Sequence, residues 1–502
     1  MASFFYERLT AQDASFLVFE TPTTHMHIGG TAVFECGPLA NASGGVDIDR
    51  IRRYVGSRLH WIPRYCQKLA FIPLENHPIW VEEEYLNLTY HVRHTSLPRP
   101  GDDAQLKSLV ARVMSQQLDR GKPLWELWIV EGLDRDRFAM ILKTHHCVVD
   151  GMSGVDLMSV LLSPTPDTTF DEAPSYRPRR PPTTTELLAA ELKRRTIGSL
   201  DLGHTLRHAL EEPAATSAQV GHNLSAAWEM VRAGLKPRAN TPLNRPIGAF
   251  RRFDWTSFDL TAVKRIKNAL GGSVNDVVLT TIAGGIRQFL ESRKVKLGRL
   301  DYRVAVPVSV RSQEEQGSSG NRVSAWFVSL PVKEADPALR FARVRAATTR
   351  LKQSKQAEAI GVFTQLAEMA APILNLGVAF AARMNPYNLI VTNVPGPPMP
   401  LYLLGAPMVE GYPAVPLFEY QALAVALFSY EGRLFCGVNA DWDLVPDLES
   451  FVSAVEQSFA ELYEVATEGL PAGSDRLIAS DSSPDKRKKA RRSGRKPVRR
   501  PA

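Results

Sequence analysis

A proline-rich passage at residues 163–183 divides this chain into two parts. It contains six prolines and few apolar residues. Because proline lacks a backbone N–H and fixes φ, neither a long helix nor an interior strand continues through such a passage. The chain has 502 residues, which exceeds what one hydrophobic core usually serves. We therefore predict two globular parts joined by an exposed linker.

The residues on both sides of the linker predict mixed α/β structure. Apolar runs or alternation indicate strands, and apolar residues three and four apart indicate helices. Before the linker, we predict strands at 31–36 and 137–144 and helices at 49–58 and 103–118. After it, the predicted strands are 250–260, 302–310, 323–332, 422–430 and 434–440, the last two as a hairpin, and the predicted helices are 184–195, 260–270, 274–292 and 445–465.

These patterns predict four regions in the chain. An N-terminal domain covers residues 1–162, and the Pro-rich linker with a helical crossover covers 163–240. A C-terminal domain of similar size covers 241–470. A disordered basic tail follows at 474–502, where the chain becomes rich in serine, proline, lysine and arginine.

The charge distribution argues against nucleic acid as a partner. The net charge is +7, but residues 486–502 alone contain ten lysines and arginines and no acidic residue. The rest of the chain is therefore mildly acidic, whereas a nucleic-acid-binding domain carries its basic residues on the folded surface. The tail could contact an anionic lipid surface or act as a solubilising end.

The remaining composition predicts a cytoplasmic protein. Four separated cysteines without a CxxC pair fit a reducing compartment. Glu7 and Arg8 interrupt the start, where a signal peptide needs an apolar run. The longest apolar stretch, Met369–Ala382, is shorter than the roughly 20 residues of a membrane-spanning helix. Peripheral contact with the inner membrane or with lipid droplets stays open.

The strongest local signal is a pair of histidines at the end of a predicted strand. His145 and His146 are followed by Asp150 and Gly151, which suit a tight turn before a helix. Neighbouring strand residues point to opposite faces, so one imidazole can line a cavity while the other braces the turn. A structural His pair, a general base and a metal site are all compatible with this pattern, although the divergence of neighbouring side chains disfavours a metal.

The segment His145–Gly151 matches the HHxxxDG signature of the CoA-dependent acyltransferase superfamily, which includes chloramphenicol acetyltransferase and peptide-synthetase condensation domains. Further motifs resemble one branch, the bacterial wax ester synthase/diacylglycerol acyltransferases, and follow that family's order over nine-tenths of the chain. These motifs are Leu9–Glu20, Met26–Gly30, Pro123–Glu126, Pro242–Asn244, Val274–Leu279, Val306–Arg311, Gly320–Arg322, Thr392–Pro397 and Asp443–Leu448.

The resemblance implies a fold and a reaction. The fold would be α/β, with two chloramphenicol-acetyltransferase-like domains in a pseudo-twofold arrangement and a tunnel between them. The reaction would transfer a long-chain acyl group from acyl-CoA to diacylglycerol, a fatty alcohol or both. Acyl-CoA would be a co-substrate, and no cofactor or metal would be needed.

The resemblance also assigns roles to individual residues. His146 would be the general base, while His145 and Asp150 would hold the loop and the ring. Asn275 would donate a hydrogen bond to the intermediate or to His146, or else cap the helix that begins near it. Glu20 would orient an imidazole, or else be an exposed loop carboxylate.

Two other functions remain open at this stage. Another HHxxxDG chemistry, such as amide formation or acyl transfer to a polyketide, would need a carrier-protein partner. A catalytically silent lipid-binding protein is the second alternative, and the intact set of His145, His146 and Asp150 weighs against it.

Overall fold

The computed structural model describes residues 4–41, 45–149, 154–172, 174–194, 238–309, 323–353 and 386–468, and they form mixed α/β structure. The first half contains β1 (Glu7–Arg8), α1 (Ala11–Phe19), β2 (His27–Glu35), α2 (Ile48–Arg58), β3 (Gln67–Phe71), β4 (Pro78–Glu82), α3 (Leu88–His91), β5 (Val92–Ser96), α4 (Asp103–Ser115), β6 (Trp125–Leu133), β7 (Arg137–His145), α5 (Gly154–Leu161) and α6 (184–194). The second half contains β8 (Arg251–Asp259), α7 (Leu260–Leu270), α8 (Val274–Ser292), β9 (Tyr302–Ser309), β10 (Val323–Leu330), α9 (Pro337–Gln353), β11 (Leu389–Pro395), β12 (Tyr402–Leu403), β13 (Ala406–Ala414), β14 (Leu423–Tyr430), β15 (Arg433–Asp441) and α10 (Leu448–Thr467).

Local capping explains where several of these helices begin and end. Asp102 caps α4 in a capping box with Gln105, which satisfies backbone N–H groups that have no partner within the helix. Ser273 caps α8 in the same way with Asp276. Helix α7 ends at Gly271 with φ of 71°, a left-handed conformation that glycine adopts without strain.

The sheet of the first half is completed by strands from the second half. Its order is β12-β13-β2-β7-β6-β5, and β13 pairs antiparallel with β2 from Ala414 opposite Gly29 to Met408 opposite Phe34. The predicted domain boundaries, 1–162 and 241–470, assign β12 and β13 to the C-terminal domain and do not foresee that they pair with the first sheet. The two halves are therefore joined by backbone hydrogen bonds as well as by side-chain packing.

The second six-stranded sheet has the order β10-β9-β11-β14-β15-β8. Strands β14 and β15 form the predicted hairpin. Its turn residues Glu431 and Gly432 both have positive φ, 41° and 77°, as the tight turn of a two-residue hairpin requires. Helices α7, α8, α9 and α10 supply the rest of the second core.

Helix α4 and strand β8 bring the two halves together. Lys107 on α4 forms an ion pair of 2.5 Å with Asp254, and its ammonium lies 4.9 Å from the centre of the Trp255 ring. Arg251 is buried; its backbone N–H donates to Ser115 Oγ at 2.9 Å, and its guanidinium donates to the Thr23 carbonyl. The second half thus holds the chain just before β2.

The linker is irregular and mostly exposed between residues 163 and 183. It follows the surface of the first half, where the Tyr176 hydroxyl donates to the carbonyls of Cys66 and Glu83. Most of the predicted crossover and the predicted tail at 474–502 lie outside the described residues.

Over the described ranges, no single helix is long and apolar enough to cross a membrane. Taken together, α7 and α8 reach that length and composition, but they are bent by 98° at the break between them.

The strand exchange predicts that the first half does not fold by itself. Residues 1–240 expressed alone would leave β2 as an open edge, and an exposed, apolar strand edge promotes aggregation. We expect most of this fragment to be insoluble, as measured by sedimentation and thermal unfolding. Co-expression with residues 241–502 should restore solubility. A soluble fragment with a cooperative unfolding transition would contradict the structural role assigned to β13.

Candidate active site

The candidate site is built on the short turn that follows β7. His145 is the last residue of the strand, and His146 begins a 3₁₀ turn, His146–Val148. The His145 N–H donates to the Leu124 carbonyl at 3.0 Å, and the His146 N–H donates to the Met26 carbonyl at 2.8 Å. The backbone is therefore held on both sides, by the segments that enter β6 and β2.

The His145 side chain serves the turn itself. Its Nδ1 accepts a hydrogen bond from the Cys147 N–H at 3.2 Å and caps the turn. The proton of a neutral ring must then be on Nε2, which lies 3.6 Å from Oε2 of Glu20. His145 is 1% exposed. These contacts agree with the predicted bracing role.

Glu20 is a buried carboxylate that faces two histidines and one arginine. Its oxygens lie 3.6 Å from His27 Nε2 and 3.6 Å from His145 Nε2, and Arg120 donates to it at 2.6 and 3.0 Å. Burial alone would raise the pKa of Glu20, but the neighbouring His145 ring and the Arg120 guanidinium outweigh it and lower the pKa to about 2. Glu20 is thus ionised, and the alternative of an exposed loop carboxylate is wrong.

The His146 ring is buried in apolar surroundings. Its ring stacks on Phe16, with centroids 3.8 Å apart and planes inclined by 16°. Burial lowers its pKa to about 4, from an ordinary value of 6.5. At neutral pH the imidazole therefore has a lone pair available to accept a proton.

Side chains from helix α1 contact both imidazoles. Phe16 contacts His146, and Glu20 at the helix C-cap contacts His145. Residues four apart lie on one face of a helix, so a single short helix supports two side chains that leave the backbone in different directions. Sequence reasoning placed Glu20 at the site but missed Phe16, Arg120 and His27. The spacing of Phe16 and Glu20 was the available signal.

The other two predicted site residues are Asp150 and Asn275. Asp150 lies outside the described residues. Asn275 is half-buried in the first turn of α8, and among the described residues no hydrogen bond joins it to either histidine. Its alternative role as helix cap is wrong, because Ser273 caps that helix. A contact between Asn275 and the reacting groups stays a prediction.

A cavity of about 210 Å³ begins beside the turn. Thr144 and Val149, which flank the two ends of the turn, line it, and it continues between β2, β7, α5 and the second sheet. Most of its lining side chains are aliphatic or aromatic, which suits an apolar ligand. A tunnel that connects two faces of the protein stays a prediction.

The described residues show no grouping of three His, Cys, Asp or Glu side chains arranged to hold a metal ion.

Replacing Phe16 should change the acidity of His146. In Phe16→Ala water gains access to the imidazole, and the lost desolvation should raise the pKa of His146 by roughly one unit toward 6.5. An NMR titration of protein labelled with ¹⁵N-histidine measures this, with His146→Gln to assign the signal. Phe16→Leu, which keeps an apolar cover, should show the smaller shift. Equal pKa values in wild type and Phe16→Ala would contradict the role of the stacked ring.

Family models match two segments of the chain. Residues 9–278 match the wax ester synthase/diacylglycerol acyltransferase catalytic domain, and residues 319–463 match the C-terminal domain of the same family. These segments include the histidine turn, α1 and β13.

Bacterial proteins of this family are similar over nearly the whole chain. A putative diacylglycerol O-acyltransferase of Mycobacterium tuberculosis is 32% identical, covering 93% of this chain and 92% of the relative. A probable diacylglycerol O-acyltransferase of the same organism is 31% identical, covering 91% and 96%.

Solved structures agree with the predicted architecture. The wax ester synthase/diacylglycerol acyltransferase of Marinobacter aquaeolei VT8 superimposes with a TM-score of 0.64 at 26% identity, covering 92% of this chain and 100% of that one. The first condensation domain of the CDA synthetase shares the fold, with a TM-score of 0.55 at 16% identity and coverage of 93% and 97%. The predicted α/β fold with two chloramphenicol-acetyltransferase-like domains is thereby confirmed. With its histidine turn, its fold and these relatives, the chain belongs to the wax ester synthase/diacylglycerol acyltransferase family.

Proposed function

We propose that this protein transfers a long-chain acyl group from acyl-CoA to the hydroxyl of diacylglycerol, of a fatty alcohol or of both. His146 accepts the hydroxyl proton while the oxygen attacks the thioester carbonyl. The C–S bond then breaks, and the proton passes from His146 to the leaving sulfur. The products are triacylglycerol or a wax ester, together with free CoA.

The observation that carries this proposal is a neutral imidazole next to an apolar cavity. His146 starts the turn whose flanking residues Thr144 and Val149 line the cavity. A general base must lie within reach of the proton it removes and be unprotonated at the working pH. The lowered pKa of His146 meets the second condition. The cavity bears on the first condition, because it offers space for an acyl chain beside the histidine turn.

The relatives supply the choice of substrates. The two mycobacterial proteins carry the name diacylglycerol O-acyltransferase, and the Marinobacter protein combines that name with wax ester synthase. Diacylglycerol and a fatty alcohol both present a hydroxyl attached to long apolar chains, so one base and one apolar cavity serve either acceptor. Acyl-CoA is the donor, and no further cofactor takes part.

We place the protein in the cytoplasm, in peripheral contact with the inner membrane or with lipid droplets. Both acceptors dissolve in lipid rather than in water, so the enzyme must meet a lipid surface. The basic residues at 486–502 support this placement, since each lysine or arginine near an anionic surface contributes about 1 kcal/mol.

Removing the base should abolish ester formation. With labelled palmitoyl-CoA and either dioleoylglycerol or hexadecanol, we expect His146→Ala to lose about 10²- to 10⁴-fold in rate, the usual contribution of a general base. His60→Ala, which removes an exposed histidine, is the matched control and should keep the wild-type rate. The wild-type products rank the two acceptors. A folded wild type that esterifies neither acceptor would contradict the proposal, and a requirement for a carrier-bound donor would favour condensation chemistry.

The pH dependence follows from the ionisation of His146. The reaction needs the neutral ring, so the rate should stay constant through pH 6.5 and fall only as the pH approaches the pKa of about 4. The measurement is kcat/KM against pH within the range where the protein stays folded. An acid limb centred near 6.5 would show that His146 titrates as an ordinary histidine in the working enzyme.

A further inference from the structure

One wall of the cavity is a ladder of residue pairs on β2 and β7. Directly opposed residues of antiparallel strands share a face, as do residues two apart along each strand. Three successive pairs on one face line the cavity: Ile28 with Thr144, Gly30 with Leu142, and Ala32 with Met140. At about 3.3 Å per residue the three pairs span roughly 13 Å, beginning at the histidine turn.

The fourth pair on the same face is a stacked aromatic pair. Phe34 lies opposite Phe138, with ring centroids 5.1 Å apart and planes inclined by 14°. Both rings are 0% exposed, and Met408 of β13 lies on the other side of Phe34. Along this face, the side chains of the first three pairs are small or flexible, whereas the fourth pair consists of two large, rigid rings.

Strand β13, beside β2 in the first sheet, and Phe428 of the second sheet meet at nearly the same level. Gly411 of β13 pairs with Ala32 and also lines the cavity. A Cβ at Gly411 would lie 2.6 Å from Met408 Cε and 3.2 Å from the Phe428 ring, so these two side chains already close around the backbone. Phe428 is itself a lining residue. Side chains from both sheets therefore meet at Gly411, one residue pair before Phe34 and Phe138.

We propose that the acyl chain of the donor lies along this ladder, with its thioester at His146 and its methyl end against Phe34 and Phe138. This inference rests on the proposed function, and adds that the aromatic pair sets the longest chain that binds fully. A chain that fits gains apolar contact with each methylene. A longer chain must leave methylenes outside the cavity or displace the rings.

Two substitutions that should shift the preferred donor chain length in opposite directions test this assignment. Ala32→Leu fills the far end and should lower kcat/KM for stearoyl-CoA relative to decanoyl-CoA by roughly 10-fold, the effect of about two methylenes that lose apolar contact. Phe138→Leu opens the far end and should move the preference toward longer donors. The measurement is a competition series of saturated donors from octanoyl- to eicosanoyl-CoA with one acceptor.

A matched control removes an equally buried ring elsewhere. Phe451→Leu lies in the second core and is also 0% exposed, so it should leave the chain-length profile as in wild type. If Phe138→Leu does not fold, Ala32→Leu and the milder Ala32→Val still decide the question. Active variants with the wild-type profile would overturn the aromatic stop while the proposed function stands. A wild type that makes no ester from any donor would instead refute the proposed function.

Discussion

The site depends on the way the backbone is held where β7 ends. Two successive N–H groups, those of His145 and His146, donate to carbonyls in separate segments, at Leu124 and Met26. These bonds leave the backbone little freedom, so each imidazole leaves it in a set direction. Main-chain bonds fix the position of a side chain more rigidly than contacts from a flexible side chain could.

The electrostatic environment then separates the two imidazoles. His145 faces an ionised carboxylate, Glu20, which Arg120 helps to keep ionised. His146 faces the ring of Phe16, and burial keeps it neutral. The two neighbouring histidines thus differ because their surroundings differ. The buried charge of Glu20 stabilises an N–H of His145 that points toward it. The apolar surface beside His146 favours the uncharged form of that ring.

The strand exchange links this site to the second half of the protein. Strand β13 completes the first sheet beside β2 and also supplies lining residues of the cavity. The close approach of β13 to β2 uses a residue without a side chain: a Cβ on Gly30 would lie 2.9 Å from the Tyr412 carbonyl oxygen. The halves therefore share one sheet and one cavity, and the space beside His146 exists only when both are in place.

The sequence by itself determined the α/β class, most of the helices, about half of the strands and the importance of the histidine turn, because these depend on local periodicity, capping and a short motif. It also placed Glu20 among the candidates. It did not reveal that Tyr402–Ala414 joins the first sheet, nor that Phe16, Arg120 and His27 surround the histidines. Those contacts join residues up to hundreds of positions apart, and no local pattern records them. The acidity of His146 and the length of the cavity were likewise decided by tertiary structure, since both arise from what surrounds a residue rather than from what the residue is.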